Sequence, residues 1–326
     1  MRALVTGGAG FIGSHLVDAL VARGDSVLVV DDLSTGRERN LSRALSRGAR
    51  LVTEDLTDAG SLLAAAHELE PDAVFHLAAQ IDVRRSVDEP VFDATVNVAG
   101  TVGALEATRR VGGARFVFAS TGGAIYGDGA SRALPFSESD ECFPDSPYGQ
   151  SKLAAEGYVK YYSRVHGVPA ASLRLGNVYG PRQDPLGEAG VIAIFCGELS
   201  RGGVPTVYGD GRQTRDYVYV RDVVEAMLAA EARLGSSGPA PHGPYNVGTG
   251  VETDVLELVE RLGRIGGRSD FTPRMAPARP GELQRSSLDS TRAQAELGWS
   301  SQTALDEGLP HTLAALAEGD EPAGAG

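Results

Sequence analysis

Six short runs rich in β-branched and aliphatic residues recur along the first half of the chain: Ala3–Thr6, Ser26–Asp31, Arg50–Asp55, Ala73–Ala78, Arg115–Ser120 and Ala171–Leu175. They are apolar almost throughout, not alternating, which is the pattern of strands covered on both faces. Ala- and Leu-rich stretches with helical spacing separate them, such as Ser14–Arg23, Ser61–Leu69 and Asn97–Val111. Strands alternating with helices predict an α/β fold built on a doubly wound parallel sheet. Beyond about Tyr179 the periodicity weakens and Gly and Pro become frequent, at Pro181, Pro185, Gly202, Gly203 and Pro205. The break predicts a first domain over 1–178 and a smaller C-terminal α/β domain, mainly over 179–316, with segments near 213–248 crossing back to the first. Ser236–Pro244 reads as a loop, and the Gly- and Pro-containing end, 317–326, as a disordered tail.

Length and charge narrow the function classes. The 326 residues suffice for two lobes with their own cores. A formal net charge of -13 disfavours nucleic acid or an anionic membrane as partner, though local arginines can still form a pocket for a small anion. Cys142 and Cys196 have no metal-ligand spacing and read as reduced thiols of a cytoplasmic protein. No metal site is expected. The chain enters its first strand directly, so no leader is expected, and no apolar stretch is long enough to span a bilayer.

The segment Val5-Thr6-Gly7-Gly8-Ala9-Gly10-Phe11-Ile12-Gly13 joins the first strand to the first helix. Gly7 permits a tight turn, Gly10 lets the backbone approach a pyrophosphate, and Gly13 lets the helix pack closely. Free N–H groups at the helix start then face the phosphates. The next strand ends in Asp31-Asp32, at the distance where a carboxylate meets the adenosine ribose. A carboxylate there repels a 2′-phosphate, so NAD is expected over NADP in a Rossmann-type site, with Arg37 and Arg39 as the residues that leave NADP open. Asp55-Leu56 and Ala78-Ala79, at the next strand ends, are placed to line the cofactor.

Tyr148 and Lys152 stand four residues apart and share one face of a helix. An ammonium near a phenol favours phenolate and is expected to pull its pKa toward neutrality. Such a phenol can take a proton from a sugar hydroxyl while hydride leaves for a nicotinamide.

These pieces together resemble the extended short-chain dehydrogenase/reductase family, specifically its nucleotide-sugar 4-epimerases. The resemblance runs through Thr6–Gly13, His76-Leu77-Ala78-Ala79, Asn97–Thr101, Ser120–Gly127, Tyr148–Lys152, Asn177–Arg182, Gly209–Asp216 and Arg279-Pro280-Gly281-Glu282. It implies an NAD site that includes Gly7, Gly10, Phe11, Ile12, Gly13, Asp31, Asp32, Asp55, Leu56, Leu77, Ala78, Ala79, Asn97, Ser120, Tyr148 and Lys152. It implies Tyr148 as the acid/base at O4, with Lys152 as its activator and a ribose contact. For a UDP-sugar it implies diphosphate ligands at Asn177, Arg215 and Arg279, a ring against uracil at Tyr208, and further contacts at Val191 and Glu282. Relatives commonly dimerise through the helix that follows the catalytic Tyr, which here carries Tyr158, Val159, Tyr161 and Tyr162, so a homodimer is expected.

One loop departs from the family pattern. Many relatives place a Ser or Thr hydroxyl where this chain has Gly122, so Thr121 or Ser120 must supply that hydrogen bond. Related 4,6-dehydratases carry Asp-Glu where this chain has Gly123-Ala124, and the decarboxylase pattern lacks its Glu here as well. One acid/base and one hydride carrier remain, which is enough to invert C4 of a UDP-hexose. UDP-glucose/UDP-galactose is the expected pair, with UDP-N-acetylglucosamine and UDP-glucuronate as alternatives. A dehydratase, a decarboxylase and a non-catalytic NAD-binding sensor are the rival readings. The family's gate position beside the sugar corresponds to Ser286, a small residue that predicts a roomy pocket. Arg84, Arg85, Arg182 and Arg285 are candidates to meet a C6 carboxylate.

Overall fold

The computed structural model describes residues 1–185, 190–236, 243–279 and 281–319. Among these, seven strands form one parallel sheet: β1 (Arg2–Thr6), β2 (Ser26–Val30), β3 (Arg50–Val52), β4 (Ala73–His76), β5 (Arg115–Thr121), β6 (Ala170–Leu175) and β7 (Pro244–Val247). Their spatial order is β3-β2-β1-β4-β5-β6-β7. The direction of winding reverses between β1 and β4, which opens the crevice where doubly wound sheets bind ligands. Thr6 is in register with both Val30 and His76, and Thr121 with Leu175, so the carboxyl ends finish near one level.

Alternate strand residues feed two cores. Ala3, Val5, Val27 and Val29 pack under α1 (Phe11–Arg23) together with Val223, Ala226, Met227 and Ala230 of helix Val220–Leu234. Leu4, Leu28, Val74, Phe116 and Phe118 pack on the other face, against α2 (Ala59–Leu69), the helix Gly100–Val111 and the long helix Pro147–His166. Burial on both faces explains why the strands are uniformly apolar. The third expected strand is shorter than its pattern suggested: β3 ends at Val52, and Asp55 lies in an exposed turn beyond it, accepting from Thr57 N–H and Oγ1 (2.8 Å each). The helix expected from Asn97 begins only at Gly100, because Thr95–Ala99 form a π-helical turn.

The C-terminal part builds a third core from Tyr179, Phe195, Leu199, Val207, Tyr217, Tyr219, Leu258, Leu262 and Leu309. Its chain is not cleanly separate, since helix Val220–Leu234 and β7 belong to the main sheet's layers. Helix Leu305–Gly319 continues through 317–319, where a disordered tail was expected to have begun; positions 320–326 of that tail, 237–242 of the expected loop, and Pro280 lie outside the described residues. Among the described residues no helix is long and apolar enough to cross a membrane.

Candidate active site

The glycine-rich turn has little freedom to be anything else. Gly7 adopts φ +69°, and a Cβ there would stand 2.5 Å from the Ala78 amide nitrogen after β4. A Cβ on Gly13 would stand 2.1 Å from the Gly7 carbonyl oxygen. The loop thus crosses the sheet's crevice in backbone-to-backbone contact, and Gly10 opens α1 with no capping side chain. That leaves first-turn N–H groups for an anion. Phe11 and Ile12 pack from this turn onto the C-terminal core.

Asp31 is buried and serves the loop itself. Its Oδ2 accepts from the Ala9 N–H (2.8 Å) and its Oδ1 from the Leu33 N–H (2.9 Å). Burial raises its pKa, partly offset by these amides. The Ala9 carbonyl in turn accepts from Asn40 Nδ2 (2.9 Å) and the Arg37 N–H (3.0 Å). Asp32 is exposed and caps Ser34. The Arg37 guanidinium pairs with Asp184. Leu77, Ala78 and Ala79 are half-buried past the end of β4, and Leu56 is buried where a Cβ on Gly100 would meet it at 3.0 Å.

Tyr148 and Lys152 lie in the first turns of α6 (Pro147–His166), entered through Ser146, whose Oγ accepts from the Gly149 N–H. The remaining helices on this flank are α3 (Val83–Asp88), α4 (Pro90–Ala94) and α5 (Gly100–Val111). The Tyr148 phenol lies near the Thr121 side chain. Burial pushes its pKa up to about 12, opposed by Thr121 and reinforced by Asp93. The expected net depression by Lys152 toward neutrality is not seen, because burial dominates. The ammonium donates to the Ala119 carbonyl (2.9 Å) and lies 4.9 Å over the Phe118 ring. Burial in turn lowers Lys152 to about 8, against the fields of Asp93 and Glu156.

The two candidate hydroxyls are separated by their partners. Ser120 Oγ donates to Glu156 Oε1 (2.6 Å), inside a buried chain in which Arg174 grips Glu156 (Nη2–Oε2 2.8 Å, Nε–Oε1 3.0 Å) and donates to the Tyr126 hydroxyl (2.8 Å). Thr121, at the end of β5, faces the phenol instead. A Cβ on Gly122 would lie 2.4 Å from Leu288 Cδ1, pointing into apolar packing, whereas one on Gly123 would lie 3.3 Å from Asn177 Oδ1 and 4.0 Å from Thr121 Oγ1.

Asn97 is fully buried at the π-turn. It accepts from the Gln80 N–H (2.9 Å) and donates to the Gln80 carbonyl (2.9 Å) and Asp93 Oδ1 (3.0 Å). His76 bridges Thr6 (2.8 Å) and Thr101 (3.0 Å), with burial pushing its pKa to about 3. Because Thr101 Oγ1 already donates to the Asn97 carbonyl, the imidazole carries its proton on Nε2 and accepts from Thr6 at Nδ1.

On the C-terminal side, Asn177 Oδ1 is buried without a hydrogen-bond partner among the described residues. The Arg279 guanidinium covers the Tyr208 ring at 3.6 Å, so the two residues assigned to diphosphate and uracil form one stacked unit. Arg215 donates to the Thr214 carbonyl (2.8 Å) and stands 4.0 Å from Glu282. Val191 opens the helix Val191–Ser200, and Ser286 is buried. Of the candidates for a C6 carboxylate, Arg85 stacks on Phe92, Arg182 pairs with Asp18, and Arg285 pairs with Glu252. Sequence reasoning missed Asp93, Glu156 and Arg174. Glu156 was within reach of it, being one further helical step along the Tyr148–Lys152 face; Asp93 and Arg174 carry no such signal.

A strand–glycine turn–helix crevice with a Tyr/Lys pair on one wall defines a class, and the chain belongs to the NAD dependent epimerase/dehydratase family, whose model matches residues 3–248. It is 48% identical over 315 residues to the UDP-glucose 4-epimerase of Mycolicibacterium smegmatis, covering 96% of this chain and 97% of that one. Among solved structures it resembles UDP-glucose 4-epimerase from Thermotoga maritima with UDP-glucose (TM-score 0.92, 43% identity, 98% of this chain and 100% of that one). It also resembles the Thermus thermophilus UDP-glucose 4-epimerase complex with NAD (TM-score 0.88, 43% identity, 97% and 99%).

Proposed function

We propose that the protein is an NAD-dependent isomerase that inverts C4 of a UDP-hexose, with UDP-glucose and UDP-galactose as the favoured pair. One observation carries the reading: Thr121 lies beside the Tyr148 phenol at the crevice, and positions 123 and 124 beside them are Gly and Ala. A dehydratase or decarboxylase needs a second proton-transferring side chain there; an epimerase does not.

The residues present fit the dinucleotide. Gly7 and Gly13 have space only for backbone, the helix start is uncapped, and Asp31, the residue assigned to the ribose, is held beside the turn by the Ala9 N–H. Bound there, NAD supplies the hydride acceptor and donor at C4. The chain's own part is to hold Asp31 against the ribose, Leu77, Ala78 and Ala79 against the dinucleotide, and Lys152 near the nicotinamide ribose. Asn177, with its unpartnered buried amide oxygen beside Gly123, and the cationic groups of Arg215 and Arg279 hold the diphosphate. Tyr208 meets the uracil, with Arg279 repositioned from its ring to the phosphates. Thr121 orients the phenol, and Tyr148 takes the proton from O4 and later returns it. A phenol held near 12 needs positive charge beside it to work at neutral pH, which Lys152 and an oxidised nicotinamide both provide. Turning the C4 ketone before reduction inverts the centre with no net redox change, so NAD stays bound.

The boundary of the two domains falls near 178, with 213–248 crossing back, and the protein works in the cytoplasm as a homodimer. Val87, Val91, Phe92, Tyr158, Tyr161 and Val165 are exposed on α3, α4 and α6, with Val91 80% exposed, while Val159 and Tyr162 pack inside their own subunit. An apolar patch of that extent on adjacent helices suits a second copy of the chain. Sedimentation at micromolar concentration should report a dimer; a monomer there refutes this surface.

The functional test is incubation with UDP-glucose, UDP-N-acetylglucosamine and UDP-glucuronate, followed through the anomeric protons by NMR. A new epimer supports the reading. A released 4-keto sugar indicates a dehydratase, and no change on all three indicates a sensor. Ser286→Tyr should depress turnover of the bulkier sugars selectively; equal effects on all substrates remove Ser286 as the gate.

A further inference from the structure

Asp93 has no part in the chemistry above, yet it is built into the wall behind it. It lies on α4 and is 1% exposed. Its Oδ1 accepts from Gln80 Nε2 (2.9 Å) and Asn97 Nδ2 (3.0 Å), and its Oδ2 from Ser151 Oγ (2.6 Å). All three donors are neutral. A carboxylate so deeply buried is disfavoured unless a cation shares its field. The next residue after Ser151 is Lys152, 3% exposed, whose ammonium meets the Ala119 carbonyl and the Phe118 ring and has no carboxylate at ion-pair distance among the described residues.

The other charges around Lys152 are already answered. Glu156, on the same helix, is clamped by Arg174 from β6. His76 of β4 is neutral, its pKa held near 3 by burial, and Tyr148 keeps its proton. Asp93 and Lys152 are therefore two opposite buried charges on facing helices, neither with a contact ion partner among the described residues. The π-turn Thr95–Ala99 makes this possible, since it carries Asn97 inward to hold Asp93 and the Gln80 backbone together.

We propose that Asp93 is a positioning residue for the reaction, which seats the catalytic helix through Ser151 and whose charge keeps Lys152 protonated up to the alkaline end of the working range. Asp93 is also first among the charges that oppose the burial of Lys152. The same field works against ionising Tyr148, so the site secures the ammonium at the expense of the phenolate.

The inference rests on the epimerase reading for its meaning in turnover, but its primary measurement does not. Lys152 and Lys160 are the only lysines in the chain. Lysine labelled with ¹³C at Cε gives two signals in the NAD-loaded protein, and Lys160→Arg assigns them. Asp93→Asn keeps the volume and removes the charge. It should move the Lys152 titration acidward by about one pH unit or more, and move the alkaline limb of kcat on UDP-glucose by the same amount with little change in KM. Asp93→Ser/Ser151→Asp, which exchanges the hydroxyl and the carboxylate across the same contact, should retain the wild-type titration. A Lys152 titration unmoved in Asp93→Asn overturns the proposal. Should that variant not fold, wild type decides: a Lys152 signal titrating below about pH 6, the range of uncompensated buried lysines, overturns it, and one at or above about pH 8 sustains it. If no UDP-sugar is turned over, the function reading fails while the NMR titration still decides this one.

Discussion

Gly122 and Leu288 form a size-matched pair, and the match can be measured. Leu288 is fully buried among Ile125, Tyr126 and Phe136. Its backbone is pinned, because its N–H donates to the buried Asp216 Oδ2 (3.1 Å) and it bridges Phe136. A methyl on residue 122 would lie 2.4, 2.8 and 3.1 Å from Leu288 Cδ1, Cδ2 and Cγ. Real carbon contacts begin near 3.5 Å, so the leucine must leave its rotamer or push its neighbours. Gly122→Ala should thus destabilise by about 1–3 kcal/mol through overpacking. Leu288→Ala should cost about 2–5 kcal/mol through its cavity. In the double variant the new methyl enters the vacated space, the clash vanishes and part of the cavity is filled. The two changes should therefore couple favourably by about 1–3 kcal/mol. Urea unfolding followed by circular dichroism, at one fixed saturating NAD concentration, gives the four stabilities of the cycle. Additive losses would show that Leu288 does not occupy the space of a side chain at 122. The same pair assigns the hydroxyl: Gly122→Ser/Leu288→Ala should restore part of the activity that Thr121→Ala removes, and Gly122→Ser alone should not.

Three further outcomes test other parts of the site. Tyr148→Phe should reduce kcat by about 10²–10⁴-fold while UDP-glucose still binds in calorimetry; near wild-type turnover would exclude the phenol as the acid/base. Nucleotide released on denaturing the purified protein should be NAD, and Asp31→Asn should narrow the preference over NADP; mostly NADP from wild type would overturn the role of Asp31. His15 donates to the Pro181 carbonyl (2.9 Å), and burial lowers its pKa from 6.5 to about 4. The unfolded chain therefore binds the extra proton first, so stability is lost as pH falls from 6.5 toward 4, by up to about 3 kcal/mol. His15→Gln should flatten that part of a melting-temperature profile against pH; an unchanged slope assigns the acid sensitivity elsewhere.

The main sheet was legible because its signals are local. Strands covered on both faces must be apolar at every position, and a glycine turn in backbone contact with a neighbouring strand tolerates no side chain, so Gly7 and Gly13 announce themselves. The Tyr148–Lys152 face follows from helical spacing alone. The seventh strand, Pro244–Val247, was visible only as a tendency of 213–248 to cross back, because a strand of four residues after a Gly- and Pro-rich stretch of sequence has no periodicity to read.

What tertiary structure decided is which atoms meet across elements distant in sequence. Ser120 and Thr121 are adjacent and chemically alike, yet strand alternation sends one to Glu156 and the other to the phenol. The sign of the Tyr148 perturbation likewise depends on burial and on where the Lys152 ammonium points, not on their spacing. Asp93 carries no signal in the sequence, and it is packing that buries it against Gln80, Asn97 and Ser151. Local sequence sets backbone geometry and the identity of the groups. The field each group feels is set by its desolvation and its neighbours' charges, and those come from residues tens of positions away that only the fold brings together.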